Sequence, residues 1–121
     1  MVLKGLIIRE PWIDLILNND KTWEIRGFNT KIRGEIALIK SGTSKVFGTI
    51  NLVDSILINK DILKSNINKH RIIDTDDIKY KTIYAWILSK PNRFKEPIPY
   101  KHPLGAVVWV NLSTLKTNNY N

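Results

Sequence analysis

Apolar and polar positions along this chain change period every few residues, and the changes mark its elements. Leu3 to Arg9 is a short, largely apolar run that predicts a first strand. Glu10-Pro11 ends it, and a helix is predicted from there because proline at the first helical position gives up no needed N–H. Trp12, Leu15, Ile16 and Asn19 share one face at the helical period, which turns the tryptophan inward. Asn18-Asn19-Asp20 then offers residues that tolerate a left-handed C-terminal turn. Lys21 to Arg26 alternates, with Trp23 and Ile25 on the inward side and Thr22, Glu24 and Arg26 on the other, the pattern of a half-buried second strand.

Gly27 to Arg33 reads as a turn-rich connection into a third strand over Gly34 to Lys40, and Ser41-Gly42-Thr43-Ser44 as the next turn. A fourth strand follows over Val46 to Asp54, where Gly48 predicts a bulge or a close backbone approach in a curved sheet. Asn59 or Asp61 can open a helix running to about Lys69, and Asp74-Thr75-Asp76-Asp77 is a second capping cluster. Thr82 to Leu88 and Gly105 to Leu112 are apolar on both faces, as in strands covered on both sides. Lys90 to Pro103 has no regular period and reads as the connection between them, and the polar residues 113–121 as a tail outside a single domain spanning 1–112. The whole predicts an α+β fold of about six mostly antiparallel strands with two or three short helices.

Composition narrows the chemistry. The chain has 121 residues and no cysteine, which removes disulfides, thiolate nucleophiles and cysteine-ligated zinc. Two isolated histidines, His70 and His102, do not make a metal-ligand motif, so no metal is expected. No glycine-rich phosphate loop or nucleophile elbow occurs, so no cofactor is implied. No apolar stretch reaches the ~20 residues of a membrane span, and the N-terminus has no secretory leader pattern, so a cytoplasmic protein without membrane contact is expected. Net charge +8 favours polyanions. That inference is discounted because Lys, Asn and Ile together make up 45 of 121 residues, a bias codon usage can produce.

The run IIREPWIDLILNNDKTWEIRGFNTKIRGEIALI from Ile7 to Ile39 resembles the signature half of the ASCH domain family, with a strand, a Pro-Trp helix start and then Lys-Thr-x-Glu-x-Arg. KVFGTINLVD (Lys45 to Asp54), YAWIL (Tyr84 to Leu88) and EPIPYKHPLGAVVWVNL (Glu96 to Leu112) are similar to bacterial single-domain members. The resemblance implies a PUA-like β-barrel whose central cleft binds RNA or a modified nucleoside, with DNA as the alternative polymer. One branch, amidohydrolases acting on N4-acetylcytidine, uses a lysine, a threonine nucleophile three residues later and a glutamate. Lys21 matches the lysine, but Glu24 stands where that threonine belongs. Other members are ribonucleases or plain binders.

The residues of KTWEIR support two accounts. Glu24 either pairs with Arg26 or Lys21 on a solvated sheet face, or accepts a hydrogen bond from a base edge while Lys21 and Arg26 hold phosphate or carbonyl oxygen. As an enzyme, the chain would be a metal-independent hydrolase with Glu24 as general base and Lys21 stabilising an oxyanion. Arg9 and Glu10 at the end of the first strand, Lys21, Thr22, Glu24 and Arg26 on the second, and Lys40 and Ser41 at the end of the third form the candidate ligand set. Tyr84 and Tyr100 complete it as cleft walls able to stack a base. Pro11 and Trp12 are assigned to helix start and core, Trp86 and Trp109 to core. Lys90, Arg93, Lys95 and Lys101 are either a phosphate-facing rim or ordinary solvated charges. A protein-interaction domain with a vestigial cleft is the remaining alternative, and the oligomeric state is open.

Overall fold

The computed structural model describes residues 3–112, so the polar tail expected over 113–121 lies outside the described residues. In chain order the elements are β1 (Leu3–Ile8), α1 (Trp12–Leu17), β2 (Trp23–Arg26), β3 (Gly34–Lys40), β4 (Lys45–Ile58), α2 (Lys60–Ser65), α3 (Ile67–His70), β5 (Ile83–Pro99) and β6 (Trp109–Leu112). The six strands form one sheet in the order β2-β5-β4-β3-β1-β6, curled into a half-barrel with three short helices. Only β1 and β3 run parallel, and every other neighbouring pair is antiparallel.

Register shifts accompany the curl. The β3–β4 ladder slips between Leu38 and Ile39, and the β4–β5 ladder slips between Val46 and Gly48. Gly48 is the close approach expected there: a Cβ would meet the Asn92 carbonyl oxygen and a Leu17 methyl of α1. One apolar cluster joins Leu6, Ile8, Leu38, Leu52 and Trp86 to Ile13 and Ile16 of α1. Trp23 and Ile25 belong to another, with Leu63 of α2, Ile83 and Ala85, on the opposite face of β2 and β5. The alternation expected for Lys21 to Arg26 therefore divides an apolar layer covered by helix from a polar side turned toward the concave cluster.

Four boundaries differ most from expectation, and the first is β4, which continues to Ile58 rather than ending at Asp54. β5 runs on to Pro99, through most of the stretch expected to be a connection. Its pairing with β2 ends at Ile87, so beyond that point β5 has only β4 beside it, and prolines fit where one edge needs no donor. β6 starts at Trp109 rather than Gly105. The helix expected up to about Lys69 is broken at Asn66, which leaves helical geometry at φ −125° and donates from Nδ2 to the Ile62 carbonyl at 2.7 Å. Asn59 caps α2 as its type predicts, its side chain accepting from the Ile62 N–H at 2.8 Å.

Candidate functional site

The gap between β2, a free edge of the sheet, and β1 is where the polar residues collect. α1 ends in the expected left-handed turn, with Asn19 at φ 65°, and the N–H groups of Asp20 and Lys21 both return to the Leu15 carbonyl. This turn delivers Lys21 beside Trp12, with Nζ 4.8 Å from the ring centroid. The last carbonyls of α3, which lack helical partners, complete the placement. Lys69 O accepts from the Thr22 N–H at 2.9 Å, and His70 O accepts from Lys21 Nζ at 2.5 Å. His70 is itself fully buried, with Nδ1 accepting the Ile72 N–H at 3.0 Å and Nε2 2.6 Å from Leu63 O. Those partners require the neutral Nε2–H tautomer.

Lys21 is only 2% exposed. Burial lowers its pKa from 10.5 to about 8, with Arg26 adding in the same direction and Glu24 opposing both. Glu24, also buried, lies between the two cations: Oε1 is 3.7 Å from Lys21 Nζ, and Oε2 is 2.9 Å from both Nε and Nη2 of Arg26. Arg26 Nη2 also donates to Ile7 O of β1 at 3.2 Å, bridging the gap between β2 and β1. Its guanidinium lies 5.4 Å from the Trp86 ring centroid, and Trp86 in turn stacks on Trp109 at 5.8 Å and meets the edge of Phe28. The core tryptophans thus act on the site through the arginine they support.

These groups form the floor of a cleft of about 670 Å³. Arg9, Trp12, Lys21, Glu24, Arg26 and Ser41 line it from the first half of the chain, and Asp77, Lys79, Tyr80 and Val107 from later loops. Four of the lining side chains are cationic and two acidic, and Arg9 and Lys79 enter no ion pair among the described residues. The volume lies within the ~300–1,000 Å³ range of small-ligand sites. Among the described residues no group of three His, Asp or Glu side chains is gathered as a metal site would need.

Of the candidate ligand residues named from the sequence, Arg9, Lys21, Glu24, Arg26 and Ser41 line this cleft, and the others do not. Glu10 and Lys40 pair with each other at 3.1 Å, and Lys40 also reaches Asp14 of α1 at 3.4 Å. Thr22 uses its backbone to bind Lys69 O and Leu88 N–H. Tyr84, opposite Arg26 in register, packs against the concave core, and the Tyr100 hydroxyl donates to His102 Nδ1 at 2.7 Å. Burial raises the Tyr100 pKa. Arg93 braces α1 through Asp14 and Asn18, and neither it nor Lys90, Lys95 and Lys101 lines the cleft. Trp12, assigned to the core by its period, is half-buried and forms a cleft wall, because the buried face of α1 is Ile13, Ile16 and Leu17.

Tyr80 had no signal in the sequence, since it follows an irregular segment. Its place depends on Gly27, where a Cβ would lie 2.7 Å from Tyr80 Cδ1, so the ring rests directly on the chain leaving β2.

A family model described as the ASCH domain matches residues 6–103. The crystal structure of ASCH from Zymomonas mobilis superposes with a TM-score of 0.67 at 15% identity, covering 79% of this chain and 72% of that one. A single-residue variant of the Zymomonas protein gives a TM-score of 0.66 at 15% identity over 90% of this chain and 87% of that one. No curated protein matches the sequence.

Proposed function

The chain belongs to the ASCH domain family, and on that premise we propose that it is a nucleic-acid-binding domain whose cleft holds one base of single-stranded RNA or a modified nucleoside. The observation that carries the reading is the cleft floor, where Lys21, Glu24 and Arg26 converge between aromatic walls at Trp12 and Tyr80. Single-stranded RNA is read by stacking unpaired bases on aromatic faces and pairing their edges with polar groups. Arg9 and Lys79, with no ion-pair partner among the described residues, offer charge to the backbone phosphates beside the base. No helix among the described residues is long and apolar enough to cross a membrane.

The test is anisotropy with labelled single-stranded RNA. Binding weakens with added salt and falls about tenfold or more in Arg26→Ala, in line with the ~1.5–3 kcal/mol of a charge-assisted hydrogen bond. Salt-sensitive binding that survives unchanged in Arg26→Ala and Glu24→Gln would place recognition outside this cleft and defeat the proposal.

A second reading, a metal-independent hydrolase, draws on the Lys21 ammonium, its pKa lowered to about 8 by burial, beside a carboxylate 3.7 Å away. In that reading Glu24 takes a proton from water or a ribose 2′-hydroxyl and Lys21 meets the developing oxyanion. Incubation with N4-acetylcytidine and with RNA, followed by mass spectrometry, tests it: product from wild type but not Glu24→Gln supports hydrolysis, and binding without product removes it.

A further inference from the structure

The polar atoms still open on the cleft floor stand in a fixed order. Glu24 Oε2 is taken twice by Arg26, whereas among the described residues the polar partner of Oε1 is Lys21, at 3.7 Å, beyond the ~2.7–2.9 Å of a close charge-assisted hydrogen bond. Oε1 therefore keeps acceptor capacity toward the cleft. Lys21 has three N–H donors and spends one on His70 O, so donors remain on one side of that oxygen. Arg26, at the carboxylate's other oxygen, commits Nε and Nη2 to Glu24 and Ile7, while no hydrogen bond among the described residues uses Nη1. Protonated lysine and arginine have no acceptor to offer, and an ionised carboxylate only accepts. The floor is a donor, acceptor, donor array whose polarity cannot be inverted by rotating a side chain.

We propose that the cleft selects a planar ring bearing an imide edge, O=C–NH–C=O, and so takes uracil-type bases in preference to cytosine. The ring N–H donates to Glu24, and the two flanking carbonyl oxygens accept from Lys21 and Arg26. Cytosine sets its exocyclic amine against a cation and its ring nitrogen against the carboxylate, losing two of three bonds and leaving like groups face to face. A site built to pair with a ligand's polar edge rejects an analogue lacking that edge more sharply than an apolar pocket can, because its own buried groups are left unpaired. Trp12 and Tyr80 supply the flat walls such a ring needs. The inference rests on the nucleobase reading above and specifies which base that cleft takes.

The experiment compares oligouridylate with oligocytidylate, then uridine, cytidine and 3-methyluridine as competitors. Oligouridylate and uridine bind about tenfold or more tightly than their cytidine counterparts, one tenfold step being ~1.4 kcal/mol and each lost buried hydrogen bond ~1–3 kcal/mol. 3-Methyluridine, whose ring nitrogen has no proton to give, competes as poorly as cytidine. This arm leaves the protein unaltered, so folding does not enter. Equal binding of the two oligonucleotides, or competition by 3-methyluridine as strong as by uridine, overturns the imide assignment while the nucleic-acid reading stands. Failure of both oligonucleotides to bind overturns both.

Discussion

Replacing Lys21 with methionine should leave the fold at least as stable as before while removing function. The ammonium is buried to 2% exposure, and burial holds its pKa at about 8 rather than 10.5 even with Glu24 beside it. At ~1.4 kcal/mol per pKa unit, keeping that amine charged in the fold costs roughly 3 kcal/mol near neutral pH. Methionine fills a similar volume without the charge, but it abandons the buried His70 carbonyl, a loss of ~1–3 kcal/mol. The balance is a Lys21→Met protein more stable by up to about 2 kcal/mol.

The pH dependence identifies the cause. In the folded chain Lys21 gives up its proton from about pH 8, in the unfolded chain only near 10.5, so between these values the unfolded state binds more protons. Wild-type stability therefore rises relative to Lys21→Met through that window, by at most ~1.4 kcal/mol per pH unit. Urea denaturation followed by far-UV circular dichroism across the window measures both quantities. Destabilisation of more than about 1 kcal/mol at neutral pH, above the ±0.5 kcal/mol of an indifferent site, with a difference flat in pH, would refute the argument.

Two further outcomes follow from the same geometry. Gly27→Ala forces the Tyr80 ring off its seat, so RNA affinity falls about tenfold, the lower part of the ~1–3 kcal/mol attributed to base–aromatic stacking. Anisotropy and a melting curve measure this together, and unchanged affinity would remove Tyr80 from the site. His70 is held neutral, its pKa pushed below the ordinary 6.5 chiefly by burial. The unfolded chain takes up a proton that the folded chain resists, so stability falls as pH drops below about 6.5, at most ~1.4 kcal/mol per unit. Urea midpoints should show that slope and His70→Gln should flatten it; equal slopes in both proteins would contradict the assignment.

Much of this arrangement was legible in local patterns. The alternation through Lys21 to Arg26 separates Trp23 and Ile25 from Glu24 and Arg26, Asn19 sits where a left-handed residue is needed, and Gly48 sits where a side chain would clash. What escaped pattern reading depends on contacts between distant segments. Lys21 is anchored by a backbone carbonyl at His70, and a carbonyl leaves no trace in residue type. Trp12 satisfies a helical period yet faces the cleft, because a helix of six residues has too few positions to fix which side is buried. Tyr80 is set by a missing side chain at Gly27, far from it in sequence. Glu10 and Lys40 stand at strand ends but pair with each other, and Lys40 also with Asp14 of α1, a competition between partners that spacing alone does not resolve.

A base held between β1, β2 and the Asp77–Tyr80 loop is within reach of photocrosslinking by RNA that carries 4-thiouridine. The crosslinked peptides should contain Trp12 or Tyr80, and their yield should fall in Arg26→Ala. Crosslinks confined to the lysines of β5 and its end, Lys90, Lys95 and Lys101, would contradict this placement and make the basic strand, rather than the cleft, the surface that holds nucleic acid.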